Sequence, residues 1–440
     1  MSKEATIETS QPALREVLPP FWLAALALVI AYIAIVTGDA YIARIPFKLF
    51  LVAAALVAWW IQIGRRRTRR DYDLAVPVLA FAAAIPILWS LVALLQGIGG
   101  DPVGIHRITW TLQEASRFVY VLLYFPLLDA RRLYGRRGLD VWLYPVLVLC
   151  GVTIVLFLSH YLTGKPDDTV DFLFFKGVFE GNAGGFRVFI GNQVLFIAAA
   201  ALLLAELATR EISRGRLAIL VLLISSTYLS HTRGIWLGLS VVCTGTLLLL
   251  LWRELDERHR RPLLLAATGV AGLVVLAGVA MLAGIAPRPS FLGDASAGSR
   301  VDQAPKLWDA FKGNPVFGDG LGAVIRPRYV RDPAAPWSYE LTYIQILFQM
   351  GTVGLIAVLA LPLLAIRRGL SLAASGALQV EPLAGTMAIV GILVASATNP
   401  YLLSSFGMLG IAIGLSLIGR SGAEVPPPPP AERFTAVAAL

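Results

Sequence analysis

The chain has 440 residues, of which 57% are hydrophobic and only 15% charged. Soluble domains carry nearer a quarter charged residues, so this composition excludes a soluble enzyme and indicates a membrane protein. The net charge of +9 would suit nucleic acid, yet much of it sits in short loops between apolar runs, where it reports topology instead. Cys150 and Cys243 both lie inside apolar runs, and His106, His160, His231 and His259 show no ligand spacing. Neither a disulfide framework nor a zinc site or other His-built metal centre is expected.

From the N-terminus, Met1 to Glu16 mixes charges without a short apolar core, so no cleavable signal peptide is expected and 1–19 forms a cytoplasmic segment. Apolar runs then occur at about 20–37, 46–63, 74–95, 115–128, 141–162, 188–208, 217–230, 234–252, 263–285, 341–366, 383–398 and 402–419. These predict an all-α polytopic membrane protein with about twelve transmembrane helices over 20–419. Arginine clusters at 65–70, 131–137, 210–216, 253–261 and 367–368 fall in every second loop. The positive-inside rule makes those loops cytoplasmic, together with both termini. The tail 420–440, with five consecutive prolines after Val425, reads as a disordered or polyproline cytoplasmic end. The remaining loops face outward, and the largest, 286–340, lies between the ninth and tenth helices. Long loops held by a rigid scaffold are where function often sits.

Candidate chemistry gathers on that outward side. Arg187 and Arg233 each precede an apolar helix, and Arg300, Arg326 and Arg328 follow in the large loop. Long loops translocate regardless of charge, so part of this excess is neutral in meaning. Guanidinium groups at an interface also suit phosphate oxygens, which makes an anion site the functional alternative. Beside Arg187, Gly191-Asn192-Gln193 places amides in the first turns of a membrane helix, where they either bind helices together or line a cavity. The turn Ser230-His231-Thr232-Arg233-Gly234 reverses the chain between two apolar runs, and Arg233 there is either a snorkelling cation or an anion ligand. In the large loop, Lys306 to Phe311 looks amphipathic and interfacial. Gly318, Gly320 and Gly322 alternate, but no strand precedes them and no Gly-Lys-Ser/Thr follows, so they predict a tight turn and not a nucleotide loop. Glu340 opens the next helix beside Tyr339, where it either complements the helix dipole or serves as a general base.

In this order these pieces resemble the O-antigen ligase and O-antigen polymerase superfamily of bacterial inner-membrane glycosyltransferases. The likeness is strongest over about 180–366, and covers the Arg187 segment, the Ser-His-Thr-Arg233-Gly turn, Arg300, Trp308, Asn314-Pro315, the glycines and Gly351-Thr-Val-Gly354. The resemblance implies a fold like the C-type glycosyltransferases and an active face toward the periplasm, without metal or cofactor. Its donor would be a glycan on undecaprenyl diphosphate and its acceptor a second glycan, with membrane lipids and other polysaccharide assembly proteins as further partners. Arg187 and Arg233 would hold the diphosphate as it leaves, with Glu340 as base. His231, Asn192, Arg300, Arg326, Arg328 and Tyr339 would contact substrate. Ligases of the family carry a histidine near the end of the large loop, whereas 286–340 here contains none and Ser338-Tyr339-Glu340-Leu341 stands in that place. The expectation is therefore a polymerase of O-antigen or exopolysaccharide repeats, with a lipid A–core ligase as the alternative. A transporter or a non-catalytic scaffold accounts less well for polar residues collected outside the membrane.

Overall fold

The computed structural model describes residues 21–35, 44–66, 72–98, 104–163, 170–172, 175–182, 185–209, 212–230, 232–254, 295–325, 336–374 and 379–419. The apolar run at 263–285 and the terminal segments 1–19 and 420–440 lie outside these residues, so the predictions made for them concern other parts of the chain.

Within the described residues the apolar runs fold mostly as helices, the element that satisfies its own backbone in hydrocarbon. In order they are α1 (Phe21–Ile35), α2 (Arg44–Gln62), α3 (Ala75–Leu79), α4 (Ile85–Ile98), α5 (Gly104–Arg117), α6 (Tyr124–Tyr134), α7 (Arg136–Thr163), α8 (Leu195–Ala208), α9 (Arg214–Leu229) and α10 (Arg233–Glu254). Then come α11 (Ala295–Gly313), α12 (Thr342–Ala374), α13 (Val380–Ser396) and α14 (Ser405–Ile418). Among the described residues, Ala75–Gln96, Arg136–Ser159, Gly191–Ala208 and Thr342–Leu372 are long and apolar enough to cross a bilayer, and five further apolar helices are shorter. The protein is an α-helical membrane protein.

Several boundaries differ from the sequence expectation for identifiable reasons. A π-helical turn, Ala80–Ala84, joins α3 to α4 just ahead of Pro86, which cannot bond the carbonyl four residues back. The outward loop expected over 96–114 is mostly α5, which continues through a 3-10 stretch, Phe118–Leu123, into α6. The helix expected from 188 begins later. Gly185–Phe189 is instead strand β3, paired antiparallel with β2 (Phe175–Asn182), which pairs with β1 (Val170–Phe172). This small sheet is an addition to the all-α expectation, and its Phe-Arg-Val-Phe-Ile run suits a strand as well as it suits a helix start.

The centre of the molecule is α8, buried along nearly its whole length, with α13 and α14 packed beside it. Without a hydrophobic drive between helices in lipid, small residues decide where backbones can approach. The sequence Gly234-Ile-Trp-Leu-Gly238 puts two glycines on one face of α10, against Gly391, Ala395 and Asn399 of α13 and its exit. A Cβ on Gly238 would stand 2.7 Å from the Gly391 carbonyl oxygen, so this contact admits no side chain. Buried polar groups are engaged across helices: the Asp129 carboxylate accepts from Trp59 Nε1 at 2.9 Å and from the Tyr72 hydroxyl at 2.6 Å.

Candidate active site

Helix α11 presents Arg300, Gln303 and Leu307 at spacings that bring them to one face. Leu307 is buried in a small core with Ala323, Ile325, Tyr339, Leu341 and Phe348, which fixes that face toward the segment ahead of α12. Gln303, itself fully buried, accepts from the Glu340 backbone N–H at 2.8 Å and from that of Leu341 at 3.4 Å. One turn earlier, Arg300 Nε lies 2.7 Å from Glu340 Oε2, with 18% of the Arg300 side chain and 6% of the Glu340 side chain exposed. One helix face therefore holds residue 340 by both its backbone and its carboxylate. At the far end of α11, Trp308 is about half exposed with its ring 5.2 Å from that of Phe311.

Tyr339 is placed differently from its expected role. Its ring is buried against Phe348, its hydroxyl accepts from the Ile325 N–H at 2.9 Å, and its own N–H donates to Gln345 Oε1 at 3.1 Å. It ties the loop to α12 and leaves no ring face open. Gln349, one turn beyond Gln345, donates to the carbonyls of Ala323 and Trp337 at 3.3 and 3.1 Å. Two glutamines in an apolar helix thus serve the irregular chain above it, where unpaired backbone would be costly.

The alternating glycines have a second purpose. Helix α12 is broken at Gly351, whose φ of 68° belongs to the left-handed region. The freed carbonyls of Phe348, Gln349 and Met350 accept from Asp319 N, Gly320 N and Trp89 Nε1 at 2.9, 2.8 and 2.8 Å. In return the N–H groups of Thr352 and Val353 donate to Pro315 and Val316. The tight turn expected here is therefore docked into the break in α12. At Gly318 an added Cβ would meet Gln349 and Met350 backbone at 2.5 Å.

The turn before α10 joins the same neighbourhood. Thr232 starts the helix, its carbonyl accepting from Ile235 and Trp236, while Trp236 Nε1 donates to the Thr227 carbonyl at 2.7 Å. Gly234 abuts Asn399, and the Asn399 carbonyl accepts from the Thr342 hydroxyl at 2.7 Å. Asn399 thereby links the turn bearing Arg233, which is part-exposed, to the segment bearing Glu340.

Other expected site residues fall elsewhere. Asn192 is fully buried and donates to the carbonyls of Ile33 and Ala34 at 3.0 and 2.9 Å, which satisfies the end of α1. Of its two readings, this geometry matches the one that binds helices together. Arg187 stands in β3 with its backbone paired to Glu180, and its side chain lies outside the described atoms. His231, Arg326 and Arg328 are also outside the described residues. Sequence reasoning missed Gln303, Asn399 and Thr342; the spacing from Arg300 to Gln303 and Leu307 was the available signal for the first. Among the described residues, no group of three or more His, Cys, Asp or Glu side chains comes together.

Residues 218–359 match the family model described as O-antigen ligase. The match runs from α9 to beyond the break in α12, and so includes the Arg233 turn, α11 and Glu340. No curated protein matches the chain.

Proposed function

We propose that this chain, whose residues 218–359 match the O-antigen ligase family model, belongs to the O-antigen ligase and polymerase superfamily and is an inner-membrane glycosyltransferase that polymerises lipid-linked oligosaccharide repeats at the periplasmic face. The observation that carries the reading is residue 340: a glutamate pinned by Arg300 and Gln303, in the stretch where ligases carry histidine. The donor is a glycan on undecaprenyl diphosphate. An acceptor hydroxyl oxygen forms a bond to the anomeric carbon while that carbon's bond to the diphosphate oxygen breaks. The bonding pair leaves with the diphosphate lipid, and the hydroxyl proton passes to Glu340. Charge grows on the departing diphosphate, so fixed cations act most strongly in the transition state. Arg233 and Arg187 take that role, with Arg326 and Arg328 guiding the anionic substrate inward. Arg300 orients the Glu340 carboxylate.

About twelve helices, both termini in the cytoplasm and a fold related to the C-type glycosyltransferases complete this reading. The second reading is a ligase that moves glycan to lipid A–core, favoured by the description of the matching family. Complementation in paired strains, one lacking an O-antigen polymerase and one lacking the ligase, separates the two. A restored ladder in the first strain is expected. Glycan newly joined to lipid A–core in the second would replace the polymerase reading with the ligase one.

A further inference from the structure

Away from this site, α1 and α7 lie side by side with an open groove of about 590 Å³ between them. One wall is low because Ala24, Ala27 and Ala31 recur on a single face of α1. The other contains Pro145, which cannot supply the hydrogen bond to the Val141 carbonyl and disposes α7 to bend there. Leu28, Tyr144 and Val148 remain at least half exposed along it.

Among the described residues that line it, the groove is apolar except where Arg137 and Asp140 enter at one end. Asp140 lies 3.6 Å from Arg216, while Arg136 and Arg137 are exposed, so the mouth has a surplus of positive charge. Its reach along α1, from Leu23 to Ile35, amounts to about 18 Å at the helical rise. One leaflet of a bilayer's hydrocarbon is about 15 Å deep. Tyr144, two turns in from the mouth, has the mixed character of an interfacial anchor.

We propose that this groove binds a phospholipid with an anionic headgroup, its phosphate at Arg137 and one acyl chain along Ala24, Ala27 and Ala31. The arginine-rich end is the one the positive-inside rule assigns to the cytoplasm. The lipid therefore belongs to the leaflet opposite the proposed transfer chemistry, and the proposal stands or falls independently of it.

The test uses the full chain purified in detergent, with phosphatidylglycerol or phosphatidylcholine of matched chains added and retained lipid counted by native mass spectrometry. Retention of phosphatidylglycerol is expected to exceed that of phosphatidylcholine about fivefold, the ratio given by one arginine at a membrane surface. Arg137→Gln, at an exposed position that leaves the fold intact, is expected to bring the two lipids to near parity. Ala27→Trp, which fills the groove, is expected to abolish retention of either. Equal retention of the two lipids by the unaltered protein would overturn the proposal, as would undiminished phosphatidylglycerol in Ala27→Trp. A dimer of the unaltered chain that Ala27→Trp dissociates would assign the groove to a second copy instead.

Discussion

Arg300 meets Glu340 at 2.7 Å, and the next turn of the same helix places Gln303 on the backbone of residue 340. A residue held by both its backbone and its carboxylate on one helix cannot turn its carboxylate away without loss of the contact to Arg300 on α11. Removal of one partner from such a largely buried pair leaves the other charge uncompensated, at a cost of about 3 kcal/mol. Arg300→Gln is therefore expected to lower both thermal stability and product, and Glu340→Gln to lose product with a smaller loss of stability. Melting of the purified variants beside a polymer assay checks both. Normal polymer from Glu340→Gln would remove the carboxylate from the chemistry.

Gln303→Leu keeps the packing volume but leaves the N–H groups of Glu340 and Leu341 without their acceptor. The expected cost is about 1–3 kcal/mol. Gln303→Glu retains an oxygen in the same place and is expected to recover part of the activity that the leucine variant loses. Equal turnover by all three proteins would mean that residue 340 needs no such support.

Gly351→Ala tests the break in α12. The new Cβ would lie 2.1 Å from the Val316 carbonyl oxygen at a backbone conformation unsuited to alanine. A loss of about 2–3 kcal/mol is expected, together with protease cleavage near 314–322 once that loop leaves its dock. An uncut loop with an unchanged melting temperature would contradict the docking.

Asn192→Ala separates a structural residue from a substrate contact. Its amide donates two bonds to the end of α1, so the loss should reach about 1–2 kcal/mol of stability. Activity per folded molecule is expected to hold. A selective rise in the donor concentration needed for half-maximal rate would return Asn192 to the substrate site.

Much of this arrangement was visible in the sequence as parts and not as contacts. Arg300 and Glu340 each stood out as ionisable groups in an outward loop, yet forty positions separate them and no periodicity in the sequence spans that distance. The helical spacing from Arg300 to Gln303 and Leu307 was present in the chain, but α11 was expected only over its later, amphipathic turns. Asn192 shows the limit of composition: an amide at a membrane helix start fits a cavity or a helix joint, and the carbonyls of Ile33 and Ala34 decide between them only in three dimensions. In the sequence alone, Val188, Phe189 and Ile190 extend the apolar run of the next helix back to Arg187. Val188 and Phe189 lie instead in β3, opposite Phe179 and Val178 of β2, and cross-strand partners of that kind are not seen in a single segment. The helical framework itself was far more legible, since long apolar runs in lipid have few alternatives.

The most direct test of the central claim is transfer by the purified protein in vitro, with a lipid-linked repeat unit as both donor and acceptor. The unaltered chain should build a ladder and release one undecaprenyl diphosphate per bond formed. Arg233→Ala should fold, insert and yield neither product. A ladder of normal length from Arg233→Ala, or polymer growth without release of the diphosphate lipid, would contradict the account.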